Sequence, residues 1–132
     1  MRELIARLEA ADPTLADVAG GVLLDAAGAL SVAGVALRNA LAALQALDAA
    51  AADVRAVADI LRRDQKFAPP GRPSLHLVQL RRQQASVQQA ERSARQRAAA
   101  SAAAFVREAG LAPRPGQTAG EALVRWLRQL PA

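Results

Sequence analysis

Alanine constrains this chain more than any other residue, because it supplies 35 of the 69 apolar residues in a sequence of 132. Alanine favours the α-helix strongly, but each alanine buries little surface when it packs. Only 34 larger apolar side chains remain to build a core. β-Branched and aromatic residues are too few for a sheet. The composition therefore predicts an all-α protein with a thin core.

The N-terminal part of the sequence predicts short helices. Apolar residues at helical spacing predict a first helix over about residues 2–10. Asp12 and Pro13 predict the cap and the first turn of a second helix, which would carry Leu15 and Leu23 on one side. Three glycines (positions 20, 21 and 28) would lie inside it. Glycine within a helix indicates close backbone approach to another helix or to a partner, and the alternative is that these glycines reflect only a GC-rich codon usage.

Two long helices are predicted next. Ser31 can cap a helix that continues to about Lys66, and Ser74 can cap another that continues to about Ala109. A proline-rich segment at residues 67–73 separates them, since proline cannot continue a helix. Each helix would be roughly 50 Å long at 1.5 Å per residue. Two nearly equal helices joined by a short connection favour a long antiparallel helical hairpin.

The C-terminal helix carries its own start signal. Gly110 predicts the end of the preceding helix, and Thr118 with Glu121 fits a capping box. Leu123, Trp126, Leu127 and Leu130 then form an apolar stripe, which we expect to dock on the hairpin. The alternative is an exposed tryptophan–leucine anchor for a partner.

The predicted organisation is a single helical domain over residues 1–132. It comprises short N-terminal helices at 1–30, the helical hairpin at 31–109 and a C-terminal docking helix at 117–131. Steps of three and four residues along the first long helix resemble the spacing of a coiled coil. The residues expected to pack between helices or to form an oligomer interface are Leu41, Leu44, Leu47, Val54, Leu61, Leu80, Val87, Phe105 and Trp126.

Charge is distributed unevenly along the sequence. Residues 1–61 carry a net charge of −4 and residues 62–132 carry +9. The most basic stretch, residues 81–97, holds five arginines, five glutamines and a single acid, Glu91. On a helix most of these arginines share one broad face, opposite a narrow face of mainly small residues. The residues expected to bind nucleic acid or an anionic partner are Arg81, Arg82, Arg92, Arg95, Arg97 and Arg107.

Several interpretations of this basic face remain open. Guanidinium groups match phosphate geometry, and glutamine amides can bond phosphates or base edges, so the face suits nucleic acid. It also suits an anionic protein, or a plain solvated surface. A further possibility is ion pairing across the hairpin with aspartates 48, 53, 59 and 64. A membrane surface fits poorly, because an interfacial helix opposes its basic face with large apolar residues rather than alanine.

Composition argues against catalysis and against bound cofactors. The chain has no cysteine or tyrosine, one histidine (His76) and one lysine (Lys66), and it lacks a glycine-rich phosphate loop. Asp25 lies in an apolar run, where it is either a functional acid or a residue that reaches solvent. With no nucleophile–base set, we expect no enzyme activity, no metal, no cofactor and no small-molecule ligand.

The location expected from the sequence is cytoplasmic. The longest uncharged part of the most apolar stretch, residues 26–37, is far shorter than the roughly 20 residues of a membrane span. The N-terminus lacks the uninterrupted apolar region of a secretory signal.

Two functions fit these features. The first is a non-catalytic interaction or assembly subunit that forms a homo-oligomer, or docks on a helical partner protein, through alanine-lined helix faces. The alternative is a nucleic-acid-binding accessory protein that uses the Arg/Gln face of the helix at 81–107.

Overall fold

The structure, a computed structural model, describes residues 1–67 and 75–130, and most of these residues lie in α-helices. The two long helices pack against each other and the short helices pack on them, which confirms the predicted all-α hairpin architecture. In chain order the helices are α1 (Arg2–Glu9), α2 (Val32–Phe67), α3 (Leu75–Glu108) and α4 (Ala119–Arg128). No helix in the described ranges is long and apolar enough to cross a membrane.

Side-chain and glycine caps fix the ends of these helices as the sequence predicts. Ser31 Oγ accepts a hydrogen bond from the backbone N–H of Gly34 at 3.0 Å, which satisfies a free donor in the first turn of α2. Thr118 Oγ1 accepts from the N–H of Glu121 at 3.1 Å and begins α4. Gly110 ends α3 with φ +67°, a left-handed conformation that costs glycine little. The cap predicted at Ser74 lies outside the described residues.

The predicted second helix is wrong. Asp12 does cap a turn, since its Oδ1 accepts from Thr14 N at 2.9 Å, but only two short 3₁₀ turns follow, Pro13–Asp17 and Ala19–Gly21. The three glycines at 20, 21 and 28 all have positive φ, which a continuous α-helix does not allow. The segment then reverses through a single antiparallel bridge between Leu24 and Leu30. The glycines therefore serve turns, not helix contacts.

The chain divides into two compact units. Unit 1 comprises Met1–Leu44 with Arg97–Ala132, and unit 2 comprises Gln45–Gln96. Unit 1 holds the larger core, in which the ring of Phe105 meets that of Trp126 edge to face at 4.9 Å between centroids. The side chains fully buried in this core are Leu8, Leu15, Leu23, Leu37, Leu41, Phe105 and Leu123.

Unit 2 has a much thinner core. Within its described residues, only Leu61, Leu77 and Leu80 form a buried hydrophobic cluster. The stretches of α2 and α3 in this unit consist mainly of alanine, glutamine and charged residues. Two helices of that composition have little to bury between them, as the alanine content predicts.

Candidate functional site

The predicted packing residues all face inward, but they do so to different degrees. In unit 1, Leu41 and Phe105 are fully buried, and Trp126 is half-buried against Phe105. Phe105 therefore packs inside the unit and offers nothing to a second molecule. The tryptophan stripe of α4 joins the core, as the docking interpretation expects.

The predicted packing residues that belong to unit 2 are not all buried. Leu61 and Leu80 are buried, whereas Leu47, Val54 and Val87 keep part of their surface exposed. Leu47, Val54 and Leu61 repeat every seven residues on α2, as do Leu80 and Val87 on α3, which is the spacing expected along a contact seam between the two helices. The seam of unit 2 is thus in place, but two helices do not close it.

A contact between the two helices locates one flank of this seam. Asp64 on α2 lies 2.6 Å from His76 on α3, measured between Oδ2 and Nε2, which places these two positions on the same side of the hairpin. Steps of seven residues return to the same side of a supercoiled helix. This side, the alanine flank, therefore comprises Ala50, Val57 and Asp64 of α2 with His76, Gln83 and Ala90 of α3.

Exposed small residues extend the alanine flank outward along α2. Ala49 and Ala56 lie seven residues apart, about 100° round α2 from Ala50 and Val57, and both are exposed, as is Ala90 of α3. Ile60 and Asp53 lie between this pair and the flank, and Ile60 keeps 38% of its surface exposed. Small side chains of this kind let another helix approach closely.

The opposite side of α3 carries arginine and glutamine. Residues on one arc of about 140° of the helix form what we call the arginine face. Every member is exposed, and none is acidic. The members are Arg81, Arg82, Ala85, Gln88, Gln89, Arg92, Arg95 and Gln96.

Contacts on the arginine face are local and leave its charge available. Arg92 donates from Nε and from a terminal nitrogen to Gln89 Oε1, at 3.1 and 2.7 Å, and Arg95 pairs with Glu91 one turn earlier. Arg81 and Arg82 make no hydrogen bond or ion pair with residues of the described ranges. Of the four arginines, Arg95 is thus the one paired with an acid among the described residues, and that acid, Glu91, lies on the seam.

Pairing with the aspartates of α2 does not occur. Asp59 pairs with Arg62 of its own helix, and Asp64 contacts His76. Asp48 and Asp53 form no ion pair with any residue that the structure describes. The interpretation in which the basic face is neutralised across the hairpin is therefore wrong.

The other two predicted arginines belong to unit 1. Arg97 is exposed, and Arg107 is exposed with its Nε 3.7 Å from Glu108 Oε1. The six candidates therefore do not form one compact group. Arg81, Arg82, Arg92 and Arg95 share the arginine face of unit 2.

Two shallow grooves of unit 1 lie beside its helices. One of about 840 Å³ runs beside α4, between Leu44, Val124 and Arg128. The other, of about 360 Å³, lies between α2 and α3, where Ala36, Ala100 and Ala104 line it. Residues of the described ranges form no cluster of three or more potential metal ligands.

Asp25 is an exposed turn residue rather than a buried acid. Its Oδ1 accepts hydrogen bonds from the N–H groups of Ala27 and Ala29, at 2.9 and 3.0 Å. It stabilises the reversal that precedes α2. Asp12 has a similar role, and the backbone and side-chain hydrogen bonds from Thr14 lower the pKa of its carboxyl group.

Sequence reasoning missed the division of unit 2 into two unlike flanks. The signal was present in the seven-residue spacing of Ala50 with Val57 and of Gln83 with Ala90. Relating the helices to each other needed a contact between them, which the Asp64–His76 pair provides.

Comparison with protein families, with curated proteins and with solved structures found no match to this chain.

Proposed function

We propose that this protein is a non-catalytic assembly subunit, and that two copies associate through the alanine flank of unit 2. The observation that carries the proposal is the incompletely covered seam, where Leu47, Val54 and Val87 are only partly buried although their spacing places them on the contact line of the hairpin. A second hairpin laid on the flank would cover these side chains and complete a four-helix arrangement. Burial of apolar surface would drive the association.

The exposed area of the chain is consistent with a partner. The chain exposes 8514 Å², and a compact folded monomer of its 13.8 kDa mass exposes about 6,600 Å². The difference of about 1,900 Å² is larger than the roughly 800 Å² that each partner contributes to a standard interface. Covering the alanine flank would remove part of this surplus.

A second copy suits this flank because the surface is complementary to itself. Ala49, Ala56 and Ala90 are small and exposed, and small residues on both partners allow two helix backbones to approach closely. A two-fold interface requires the same patch on both subunits. The arginines of α3 lie on the other side of the helix, so pairing of the flanks does not bring the two basic faces together.

The experiment compares two double variants with equal changes in charge. Ala56→Glu with Ala90→Glu places carboxylates beside the alanine flank, and both positions are exposed in the single chain. Ala85→Glu with Gln88→Glu adds the same two negative charges at exposed positions of the arginine face, away from the flank. Molar mass is measured for all three proteins by light scattering after size exclusion, with helix content followed by circular dichroism.

The proposal predicts a dimer for the unmodified protein and for the Ala85/Gln88 variant, and a monomer for the Ala56/Ala90 variant with unchanged helix content. Burying four carboxylates in the paired interface would be unfavourable, since unpaired charges are costly to desolvate. A monomeric unmodified protein would refute the proposal, and so would equal effects of the two variants. Dissociation with loss of helix in both variants would refute it as well.

A further inference from the structure

We propose that the arginine face of α3 binds double-stranded DNA, with its arginines on the phosphates on both sides of the major groove. This inference concerns a different surface from the alanine flank and does not depend on dimer formation. It starts from the electrostatics of the face. Arg81, Arg82, Arg92 and Arg95 are all exposed, and in the described part of the chain the acid that pairs with one of them is Glu91, with Arg95.

The spacing of the arginines fits the dimensions of DNA. Arg81 and Arg92 are eleven residues apart, which corresponds to about 17 Å along a helix. The major groove is about 12 Å wide and admits an α-helix. A helix that crosses the groove can therefore bring Arg81 and Arg82 to one phosphate backbone and Arg92 and Arg95 to the other.

The residues between the two arginine pairs suit the groove itself. Ala85 is small and lies near the middle of the face, so it allows close approach of the helix. Gln88 and Gln89 are exposed between the pairs, and glutamine amides can bond base edges. Gln89 already orients Arg92 through its Oε1. The arrangement places charge at the edges and amides in the centre.

Duplex DNA fits better than the other nucleic acids. Residues 75–96 contain no phenylalanine, tyrosine or tryptophan, and single-strand binding depends on stacking of bases on aromatic rings. The major groove of double-stranded RNA is deep and too narrow for side chains to read. An acidic protein shares only the negative charge of DNA and lacks its regular phosphate spacing.

The test measures binding by fluorescence anisotropy across a salt series. The labelled probes are a duplex DNA, one of its single strands and a duplex RNA of equal length, and poly-glutamate serves as an unlabelled competitor. Four arginines on four phosphates predict a slope of log affinity against log salt of about −3.6. Affinity for duplex DNA should then fall roughly 150-fold between 50 and 200 mM salt.

Matched variants separate the arginine face from the net charge of the chain. Arg81→Gln, Arg92→Gln and Arg95→Gln together remove three charges from the face, and the slope should fall to about −0.9. The control combines the substitutions Arg2→Gln, Arg114→Gln and Arg128→Gln, which remove three exposed charges from unit 1. The control should keep a slope near that of the unmodified protein.

Several outcomes would overturn the proposal. They are no binding to duplex DNA, equal loss in the two triple variants, tighter binding to the single strand or to RNA, and complete displacement by poly-glutamate at equal charge. The Ala85→Glu substitution provides a further check, because a carboxylate at the centre of the face should weaken DNA binding while the dimer persists. Dimer formation and DNA binding are thus measured separately, and a negative result for one does not contradict the other.

Discussion

Gly34, in the first turn of α2, provides a sharp test of how the N-terminal segment packs on the hairpin. A Cβ added there would lie well inside contact distance of the Leu23 carbonyl oxygen and 3.0 Å from Leu30 Cδ2. The Leu23 oxygen belongs to the backbone and accepts a hydrogen bond from Ser31 N, so it cannot move away freely. Gly34→Ala must therefore displace the segment that precedes α2.

The expected size of the effect follows from two opposing contributions. Overpacking of a fitted site costs about 1–3 kcal/mol, and a clash with backbone belongs at the upper end of that range. Alanine recovers up to about 1 kcal/mol through its higher helix propensity. We therefore expect Gly34→Ala to lower the free energy of unfolding by about 2 kcal/mol, which lowers Tm by roughly 8 °C in a chain of this size.

The assay is urea unfolding followed by circular dichroism, with Gly120→Ala as the matched control. Gly120 is also a helical glycine, but an added Cβ would meet only Thr118 Oγ1, at 3.9 Å. That variant should gain up to about 1 kcal/mol. A Gly34→Ala variant as stable as the unmodified protein would contradict the close contact of Leu23 and Leu30 with the first turn of α2.

Two further predictions concern unit 1. Phe105→Ala should lower the free energy of unfolding by about 3–5 kcal/mol in urea titrations, because the ring is fully buried. A decrease of less than about 1 kcal/mol would contradict the position of this ring in the core. Phe105→Leu is measured instead if the alanine variant does not fold. Asp12 has a lowered pKa in the folded chain, so it contributes stability above its ordinary pKa and loses it as the pH falls through the folded value. Stability of Asp12→Asn should accordingly decline less than that of the unmodified protein when the pH is lowered through about 4, and an equal decline in paired urea titrations would contradict the Thr14 contact.

The long helices were predictable because several local signals agree for them. Ser31 and Gly110 mark two ends, and the apolar residues of α2 keep the spacing of a seam over their whole length. Propensity, capping and periodicity all favour the same structure there. The docking of α4 was predictable for the same reason, since Thr118 caps a strongly amphipathic stretch.

The segment between Asp12 and Ser31 was not predictable from periodicity. Its leucines and valines have helical spacing, yet 3₁₀ turns and a reversal bring Leu15 and Leu23 into the core just as well. The deciding information was the positive φ of the glycines at 20, 21 and 28, together with the turn formed by Asp25. The sequence could predict that the arginines of the arginine face are exposed. It could not predict that they do not pair with the aspartates of α2, because that depends on the register of the two helices.

The most direct test of the central claim, that two copies pair to cover the thin seam of unit 2, is the molar mass of the unmodified protein by sedimentation equilibrium over a range of micromolar concentrations. The account predicts a species of about twice the 13.8 kDa chain mass, in equilibrium with monomer as the protein is diluted. A mass of 13.8 kDa at every concentration would contradict it.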